Sequence, residues 1–183
     1  LAVLVDTVYD NPGKYGGAEV ALASVFFAFE IYCDFAGYSN IAIGAAQSMR
    51  VQGRDAIAVT FFGDGALNRG PFAEGLNWAA AFSLPVLFVC ENNGLGMTVP
   101  IAESTKEFDI YKRAAGYGMF GQKYDGTRVL EVWKAVDAAL DRARDPENEN
   151  RPSLLEFKTH RHRGHWEGDP HDRYRPKNFE ETC

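Results

Sequence analysis

Small oxygen-bearing side chains follow two apolar segments of this 183-residue chain, and their types suit a bound metal ion. Asp64 stands in a Gly-Asp-Gly sequence directly after one apolar run, and Asn93 follows a second run in the sequence Glu-Asn-Asn-Gly. Carboxylate and amide oxygens are donors that hard divalent cations prefer. Gly65 and Ala66 add backbone N–H groups that can face a phosphate oxygen, because glycine permits close approach to the backbone. The pattern predicts a site for a metal ion and a phosphate group.

The two apolar runs, residues 56–62 and 85–90, have the pattern of short strands buried in a parallel sheet. Residues 71–82 between them begin with a proline and keep apolar side chains at helical spacing, which predicts a helix. In a right-handed strand–helix–strand unit, ligands bind beyond the carboxyl ends of the strands. We therefore predict an α/β fold with a parallel sheet and flanking helices, and with Asp64 and Asn93 at one edge of the sheet.

Later segments add further elements to this sheet. Residues 104–115 are predicted to form a helix that ends at two glycines, and residues 122–124 and 153–159 are predicted strands. Another helix is predicted after Thr127, a possible N-cap. Its apolar stripe is expected to lie in the core and consists of Val129, Val132, Trp133, Val136, Leu140 and Ala143.

A loop rich in charge and glycine follows the last predicted strand. Arg161, Arg163 and His165 lie within five residues, and Asp169, Arg173 and Arg175 come after them. Several cations in one loop suit an anionic ligand, because guanidinium groups bind phosphate and carboxylate well. A histidine in a polar loop can equally be a solvated side chain, so the residues alone leave both interpretations open.

Composition indicates a globular chain and argues against a nucleic-acid partner. Hydrophobic residues make up 46% and the net charge is -6, so the chain lacks the basic excess that nucleic acid attracts. Cys33, Cys90 and Cys183 are odd in number, widely separated and without metal-ligand spacing. This favours a reducing compartment, and a cytoplasmic location is expected. The chain begins with Leu1 and is expected to be a fragment.

The sequence resembles the alpha subunit of the thiamine diphosphate-dependent, decarboxylating dehydrogenase component of 2-oxo acid and acetoin dehydrogenase complexes. The resemblance rests on Gly63-Asp64-Gly65, the 26 residues 66–91, and Asn92-Asn93, and it covers about residues 44–178. It implies a partial thiamine diphosphate-binding fold. It also implies oxidative decarboxylation of a 2-oxo acid, or cleavage of acetoin, with acyl transfer to a lipoyl group. Other matching segments are FFGDGALNRGPFAEGLNWAA, LPVLFVCENNG, Tyr124-Asp125-Gly126, and THRHRGHWEGDP followed by Tyr174-Arg175.

The resemblance also implies ligands and roles for particular residues. A magnesium ion is expected to join Asp64, Asn93 and the Leu95 carbonyl to the diphosphate. His165 is the expected catalytic residue, because its position in the family meets the cofactor phosphates and the reacting centre. The expected cofactor-binding residues are Asp64, Gly65, Ala66, Asn93, Arg161 and His165.

Partners follow from the same resemblance. In this family a beta subunit supplies the glutamate that activates the cofactor, so a beta subunit in a heterotetramer, a lipoyl-bearing acyltransferase and a small 2-oxo acid are expected. The family's N-terminal cofactor-binding segments have no counterpart in this sequence. We therefore expect weak or no turnover from this chain, and an inactive cofactor-binding or assembly fragment is the alternative. The sequence leaves open which 2-oxo acid, or acetoin, is the substrate.

The first 47 residues resemble a different family. Residues 31–44, IYCDFAGYSNIAIG, are similar to a stretch of the membrane-bound O-acyltransferases of the alginate acetylation type. Residues 18–35 are apolar and aromatic, which predicts a hydrophobic helix. We therefore expect a chimeric or fragmentary chain with a foreign segment at 1–47, a partial dehydrogenase domain at 48–183 and a join near residues 44–46. A fragment of such an acyltransferase is the third candidate function.

Overall fold

The computed structural model describes residues 2–148, 151–166 and 168–169, and the side chains of these residues except 2–4, 12 and 28–39. Its helices are α1 (Ala2–Tyr9), α2 (Gly17–Val51), α3 (Gly70–Ala81), α4 (Ile101–Ser104) and α5 (Val129–Arg144). Its strands are β1 (Ala58–Gly63), β2 (Val86–Asn92), β3 (Leu95–Gly96), β4 (Val99–Pro100), β5 (Phe120–Asp125) and β6 (Ser153–Lys158). Short 3-10 segments lie at Pro12–Lys14, Asp64–Asn68 and Ile110–Tyr117.

Four parallel strands form the central sheet in the order β1, β2, β6, β5. Gly63 is in register with Glu91, and Lys158 is in register with both Asn92 and Asp125. All four carboxyl ends therefore meet at one edge of the sheet. The predicted parallel sheet with flanking helices is confirmed.

Strand β2 is buried on both faces of the sheet. Val86, Phe88 and Cys90 face a core that includes residues of α2 and α3, whereas Leu87 and Val89 face a second core with α5. Alternate residues of a strand point to opposite faces, so a strand covered on both sides must be apolar at every position. This explains the continuous apolar run in the sequence.

Helix α3 forms where the sequence predicts it. Pro71 lies in its first turn, where the missing N–H of proline costs nothing, and Phe72, Leu76 and Ala79 are buried. These side chains belong to the core that contains Ala42 of α2. Burying a leucine or phenylalanine stabilises the fold by about 1.5–3 kcal/mol, so α3 fixes the strand–helix–strand unit on which the site is built.

The apolar stripe predicted for α5 is partly wrong. Val129 and Trp133 are 77% and 63% exposed. The buried face is instead centred on Ala135, Ala139 and Ala143, with Val132, Val136 and Leu140 packed beside the core. Small alanines let the helix approach the sheet closely, which leaves the larger side chains at the margin of the contact. The predicted N-cap is also wrong, because Arg128 is the N-cap residue and the Thr127 hydroxyl donates to Asp125 Oδ1 at 2.6 Å.

The helix predicted over residues 104–115 does not form. Helix α4 ends at Ser104, and residues 110–117 form a 3-10 segment that is followed by the capping residue Gly118, where φ is +69°. Side chains in the connection compete for the backbone, since Glu107 accepts the N–H of Asp109 at 3.0 Å. Lys112 then pairs with Asp109 at 2.8 Å. These local bonds favour a turn over a continuous helix.

Helix α2 runs without interruption across residues 44–46, where the sequence predicts a join. Ala42, Ile43 and Ala46 are buried against the sheet, whereas Leu22 and Ile41 are 54% and 71% exposed. Within the described residues, no helix has both the length and the apolarity needed to cross a membrane. The domain boundary between residues 47 and 48 stays a prediction.

Candidate functional site

A pocket of about 580 Å³ opens at the edge of the sheet where the parallel strands end. Six of the seven predicted site residues line it, and they come from three separate loops. The exception is Arg161. The six are Asp64, Gly65, Ala66, Asn93, Leu95 and His165.

Asp64 follows β1 directly and begins a 3-10 turn. Its side chain is only 3% exposed, and neither carboxylate oxygen has a hydrogen-bond partner among the described residues. Burial raises the pKa of this carboxyl group above its usual value, because a buried charge loses its hydration. Nearby backbone N–H groups of Asp64 and Asn93 and the charges of Lys158 and Arg161 oppose this rise in pKa without cancelling it. An unpaired buried carboxylate is a strong cation ligand.

Two successive side chains shape the turn after β2. The Asn92 amide oxygen accepts the Gly94 N–H at 3.0 Å, and the Asn93 amide oxygen accepts the Leu95 N–H at 3.1 Å. Gly94 has φ of +79°, a conformation that favours glycine. The oxygen of Asn93 keeps a second lone pair for a ligand.

The segment after Asn93 forms a small hairpin. Strand β3 pairs with β4, and the Ile101 N–H donates to the Gly94 carbonyl at 2.9 Å. Gly96 of this hairpin lies against Gly65, and a Cβ added at Gly65 would stand 3.0 Å from the Gly96 Cα. The 3-10 turn at Asp64–Asn68 and the hairpin are thus in backbone-to-backbone contact.

Replacing Gly65 with alanine is expected to separate these two turns. Because the obstacle is backbone rather than a flexible side chain, one turn must shift, and overpacking of this kind costs about 1–3 kcal/mol. Urea unfolding measures this loss of stability. Gly70→Ala is the matched control, since a Cβ there meets nothing within 4 Å. Equal stability of the two variants would contradict the prediction.

The loop after β6, residues 159–169, is called the histidine loop, and two hydrogen bonds hold it at the pocket. The Arg161 guanidinium donates to the Met97 carbonyl at 2.6 Å and lies 3.4 Å from His165 Nδ1. Arginine has no acceptor, so the contact with His165 is a hydrogen bond only when Nδ1 carries no proton. The His165 N–H donates to the buried Asp169 carboxylate at 2.6 Å. His165 is thus held by its backbone while its ring stays exposed.

Two other predicted residues of this loop, Arg163 and Asp169, are not part of the pocket lining. Arg163 is exposed. Arg173, Tyr174 and Arg175 lie outside the described residues.

Sequence reasoning missed several residues that support the site. Lys158 ends β6 and places its ammonium 3.4 Å from the Asn92 amide oxygen, where its charge also acts on Asp64. Arg113 donates to the Leu67 carbonyl at 2.8 Å and to the Thr105 hydroxyl at 3.0 Å, which ties the turn after Asp64 to the next loop. The position of Lys158 at the end of a predicted strand could have indicated that it lies near the site. No feature of the sequence indicated a role for Arg113.

The oxygen donors of the pocket fit a magnesium ion. They comprise the carboxylate of Asp64, the amide oxygen of Asn93 and the backbone carbonyl of Leu95, which are hard ligands of the type this ion prefers. Among the described residues, no group of three or more His, Cys, Asp or Glu side chains could hold a metal. The candidate site is therefore one that uses a single carboxylate and leaves positions for ligand oxygens.

Comparison with known proteins places the chain in a family. A sequence profile described as "Dehydrogenase E1 component" matches residues 26–182. The chain belongs to this dehydrogenase E1 component family. The predicted family of alpha subunits of acetoin and 2-oxo acid dehydrogenases is thereby confirmed.

Curated relatives within this dehydrogenase E1 family agree with the assignment. The chain is 44% identical over 133 residues to the alpha subunit of the acetoin:2,6-dichlorophenolindophenol oxidoreductase of Bacillus subtilis, covering 73% of this chain and 39% of that protein. It is 35% identical over 176 residues to the pyruvate dehydrogenase E1 alpha subunit of Rickettsia bellii, covering 96% and 48%. It is 40% identical over 134 residues to the 2-oxoisovalerate dehydrogenase alpha subunit of B. subtilis, covering 73% and 40%.

The chain spans less than half the length of these curated relatives. Among solved structures, it is similar to one described as a thiamin diphosphate-dependent enzyme from Mycobacterium smegmatis, with a TM-score of 0.48 and 25% identity over 66% of this chain and 21% of that chain.

The comparisons give no support to the acyltransferase resemblance of residues 1–47 or to a chimera. The E1 profile includes residues 31–44, and the R. bellii alignment covers 96% of the chain.

Proposed function

We propose that this chain acts as part of an alpha subunit that binds thiamine diphosphate through magnesium, for decarboxylation of a 2-oxo acid or cleavage of acetoin. The observation that carries the proposal is the buried carboxylate of Asp64, which has no hydrogen-bond partner within the described part of the chain and shares a pocket with Asn93, Leu95 and His165. A divalent cation would place positive charge in direct contact with this carboxylate. Membership of the E1 family supports the choice of cofactor.

Each predicted site residue has a definite part in this proposal. Asp64, Asn93 and the Leu95 carbonyl would hold the metal ion, whose charge would attract the diphosphate. The backbone N–H groups of Gly65 and Ala66 would donate to a phosphate oxygen, and glycine at residue 65 would allow the close approach.

The cationic side of the pocket belongs to the histidine loop. Arg161 fixes the Met97 carbonyl and brings positive charge to the anionic cofactor. His165 would face the cofactor phosphates and the reacting centre, and, as an exposed residue, it could carry a proton during acyl transfer. When bound, thiamine diphosphate supplies the electron sink for breaking the bond beside the substrate carbonyl.

Partners complete the proposed site. We place a beta subunit of the same component against this pocket, in a heterotetramer in which the beta subunit supplies the glutamate that activates the cofactor. A lipoyl-bearing acyltransferase receives the acyl group, and the location is cytoplasmic. Relatives named for acetoin, pyruvate and 2-oxoisovalerate are similarly close, so the proposal extends to the substrate class and not to one substrate.

Two other functions differ from this one in testable ways. An assembly module would keep the fold but would not bind the cofactor in a magnesium-dependent way. A fragment of a membrane-bound acyltransferase has no support in the similarities found.

Calorimetry of the purified chain with thiamine diphosphate tests the proposal. We expect binding in the presence of magnesium and little or none with a chelator, because the diphosphate is joined to Asp64 through the ion. At a ligand concentration 100 times Kd, the bound chain should gain about 2.7 kcal/mol of stability, seen as a higher Tm. Thiamine without phosphates is the matched control ligand. Binding that ignores magnesium, or no binding at all, would overturn the proposal.

A further inference from the structure

A buried carboxylate lies behind the turn that carries Asn93. Glu156, in the middle of β6, is 0% exposed. Its Oε1 accepts a hydrogen bond from the Asn92 side-chain amide at 2.6 Å, and its Oε2 accepts the Tyr111 N–H at 3.0 Å. Both oxygens of a fully buried acid are thus occupied, and one of them by the residue next to a proposed metal ligand.

The carboxylate decides which way the Asn92 amide points. An ionised carboxylate only accepts hydrogen bonds, so Asn92 must turn its Nδ2 toward Glu156. Its Oδ1 then faces the opposite way and accepts the Gly94 N–H at 3.0 Å, with the Lys158 ammonium at 3.4 Å. With the amide reversed, Nδ2 would meet the Gly94 N–H donor to donor, and the turn would lose its closing bond.

We infer that Glu156 is a positioning residue for the metal site: it orients Asn92, and Asn92 closes the turn that presents Asn93 and the Leu95 carbonyl. The inference rests on the proposed function, because it concerns the same magnesium site. Glu156 itself does not line the pocket. Its effect passes only through the orientation of one amide.

Glu156→Gln breaks this arrangement with almost no change in volume. A glutamine offers one acceptor where Asn92 and Tyr111 present two donors, so one of them loses its partner. Residues that orient metal ligands typically change metal affinity by about 10–100-fold when replaced. We therefore expect the magnesium concentration for half-maximal binding, titrated at a fixed excess of thiamine diphosphate, to rise by about 10-fold or more.

The control is Glu91→Gln on the neighbouring strand, because Glu91 is exposed and lies beside Asn92 in the sequence. Urea unfolding without ligands separates a general loss of stability from a loss of metal affinity in the folded chain. A merely structural role would lower the stability of Glu156→Gln and leave the magnesium titration of its folded chain unchanged.

The double variant Asn92→Asp with Glu156→Gln exchanges acid and amide and supplies the decisive test. The introduced glutamine can then donate to the introduced aspartate and accept the Tyr111 N–H, while that aspartate accepts from Gly94 and Lys158. We expect its magnesium titration to return to within about threefold of the native chain, from at least about tenfold for the single variant. If Glu156→Gln does not fold, the magnesium titration of the double variant by itself tests the inference.

Distinct results overturn the inference and the proposed function. If the native chain shows no magnesium-dependent binding of thiamine diphosphate, both the proposed function and the inference are wrong. A native chain that binds, together with a folded Glu156→Gln chain that titrates identically, removes only the inference. A folded double variant with no recovery also overturns it, since Glu156 would then act by a route other than Asn92.

Discussion

The Asp64→Asn chain is expected to be more stable than the native chain without ligands, yet to bind magnesium and thiamine diphosphate much more weakly. Asp64 is 3% exposed and its carboxylate has no hydrogen-bond partner among the described residues. Leaving a buried polar group without a hydrogen bond costs about 1–3 kcal/mol of stability, and more when the group is charged. The neutral asparagine should therefore raise the free energy of unfolding by about 1 kcal/mol or more. Removing one partner of a buried charge pair costs about 2–5 kcal/mol in binding, which is roughly 30-fold to several thousand-fold in Kd.

The gain in stability should depend on pH in a definite direction. Burial raises the pKa of Asp64 in the folded chain above its unfolded value, so the proton binds more tightly to the folded state. The resulting stability is complete below the unfolded pKa, about 3.9, and is lost as pH rises through the folded pKa. The advantage of Asp64→Asn over the native chain should therefore be largest near neutral pH and shrink in acid.

Urea unfolding from neutral to acid pH, with a chelator present, measures this difference. Asp55→Asn is the matched control, because the Asp55 side chain is 83% exposed and its only ion pair within the described residues, with Arg144, is 3.9 Å long. An Asp64→Asn chain that is less stable at neutral pH, or that binds magnesium with the cofactor as tightly as the native chain, would contradict the prediction.

Gly121→Ala is expected to be among the most destabilising substitutions of small size in this chain. A Cβ at Gly121 on β5 would lie 2.2 Å from the Tyr111 carbonyl oxygen and 2.7 Å from the Ala114 Cβ. The strand and the 3-10 segment of residues 110–117 would have to move apart, and such overpacking costs about 1–3 kcal/mol or more. Urea unfolding measures the loss. Gly116→Ala lies in the same segment and meets nothing within 4 Å, so it should change stability little.

A second consequence of Gly121→Ala concerns the site. Tyr111 also donates its N–H to Glu156, so movement of this segment should disturb that bond. A Gly121→Ala chain as stable as Gly116→Ala would show that the contact relaxes at no cost.

The sequence alone predicts the strand–helix–strand unit and the edge of the sheet where the site lies. Apolar runs bounded by turn residues identify β1 and β2, and Pro71 marks the start of α3. Because carboxyl ends of parallel strands meet at one edge, Asp64 and Asn93 could be brought together from the order of the elements alone. The pocket that contains both residues agrees with that reasoning.

The errors arise where side chains act against local pattern. Trp133 and Val129 are apolar but exposed, since alanines make the contact of α5 with the sheet and hydrophobicity alone favours larger residues. Residues 104–115 have helical spacing, but polar side chains of the connection bind its backbone instead. Neither effect is visible in a periodicity count.

The supporting contacts of the site could not be predicted because they join distant segments. Glu156 meets Asn92 across 64 positions of sequence, and Arg113 meets Leu67 across 46. No spacing rule links such pairs. Only pairing of β6 with β2 brings Glu156 beneath the turn.

The order of strands in the sheet affects how the chain folds while it is being synthesised. Strand β6 is made after β5 but lies between β5 and β2, so it has to insert between two earlier strands. Until it does, β2 has an open side and β5 lacks the strand with which it pairs in the sheet, and unpaired strand edges invite intermolecular association. A growing polypeptide therefore remains vulnerable to aggregation on the ribosome until about residue 158 has emerged, and the turn after β2 gains its support from Glu156 only then.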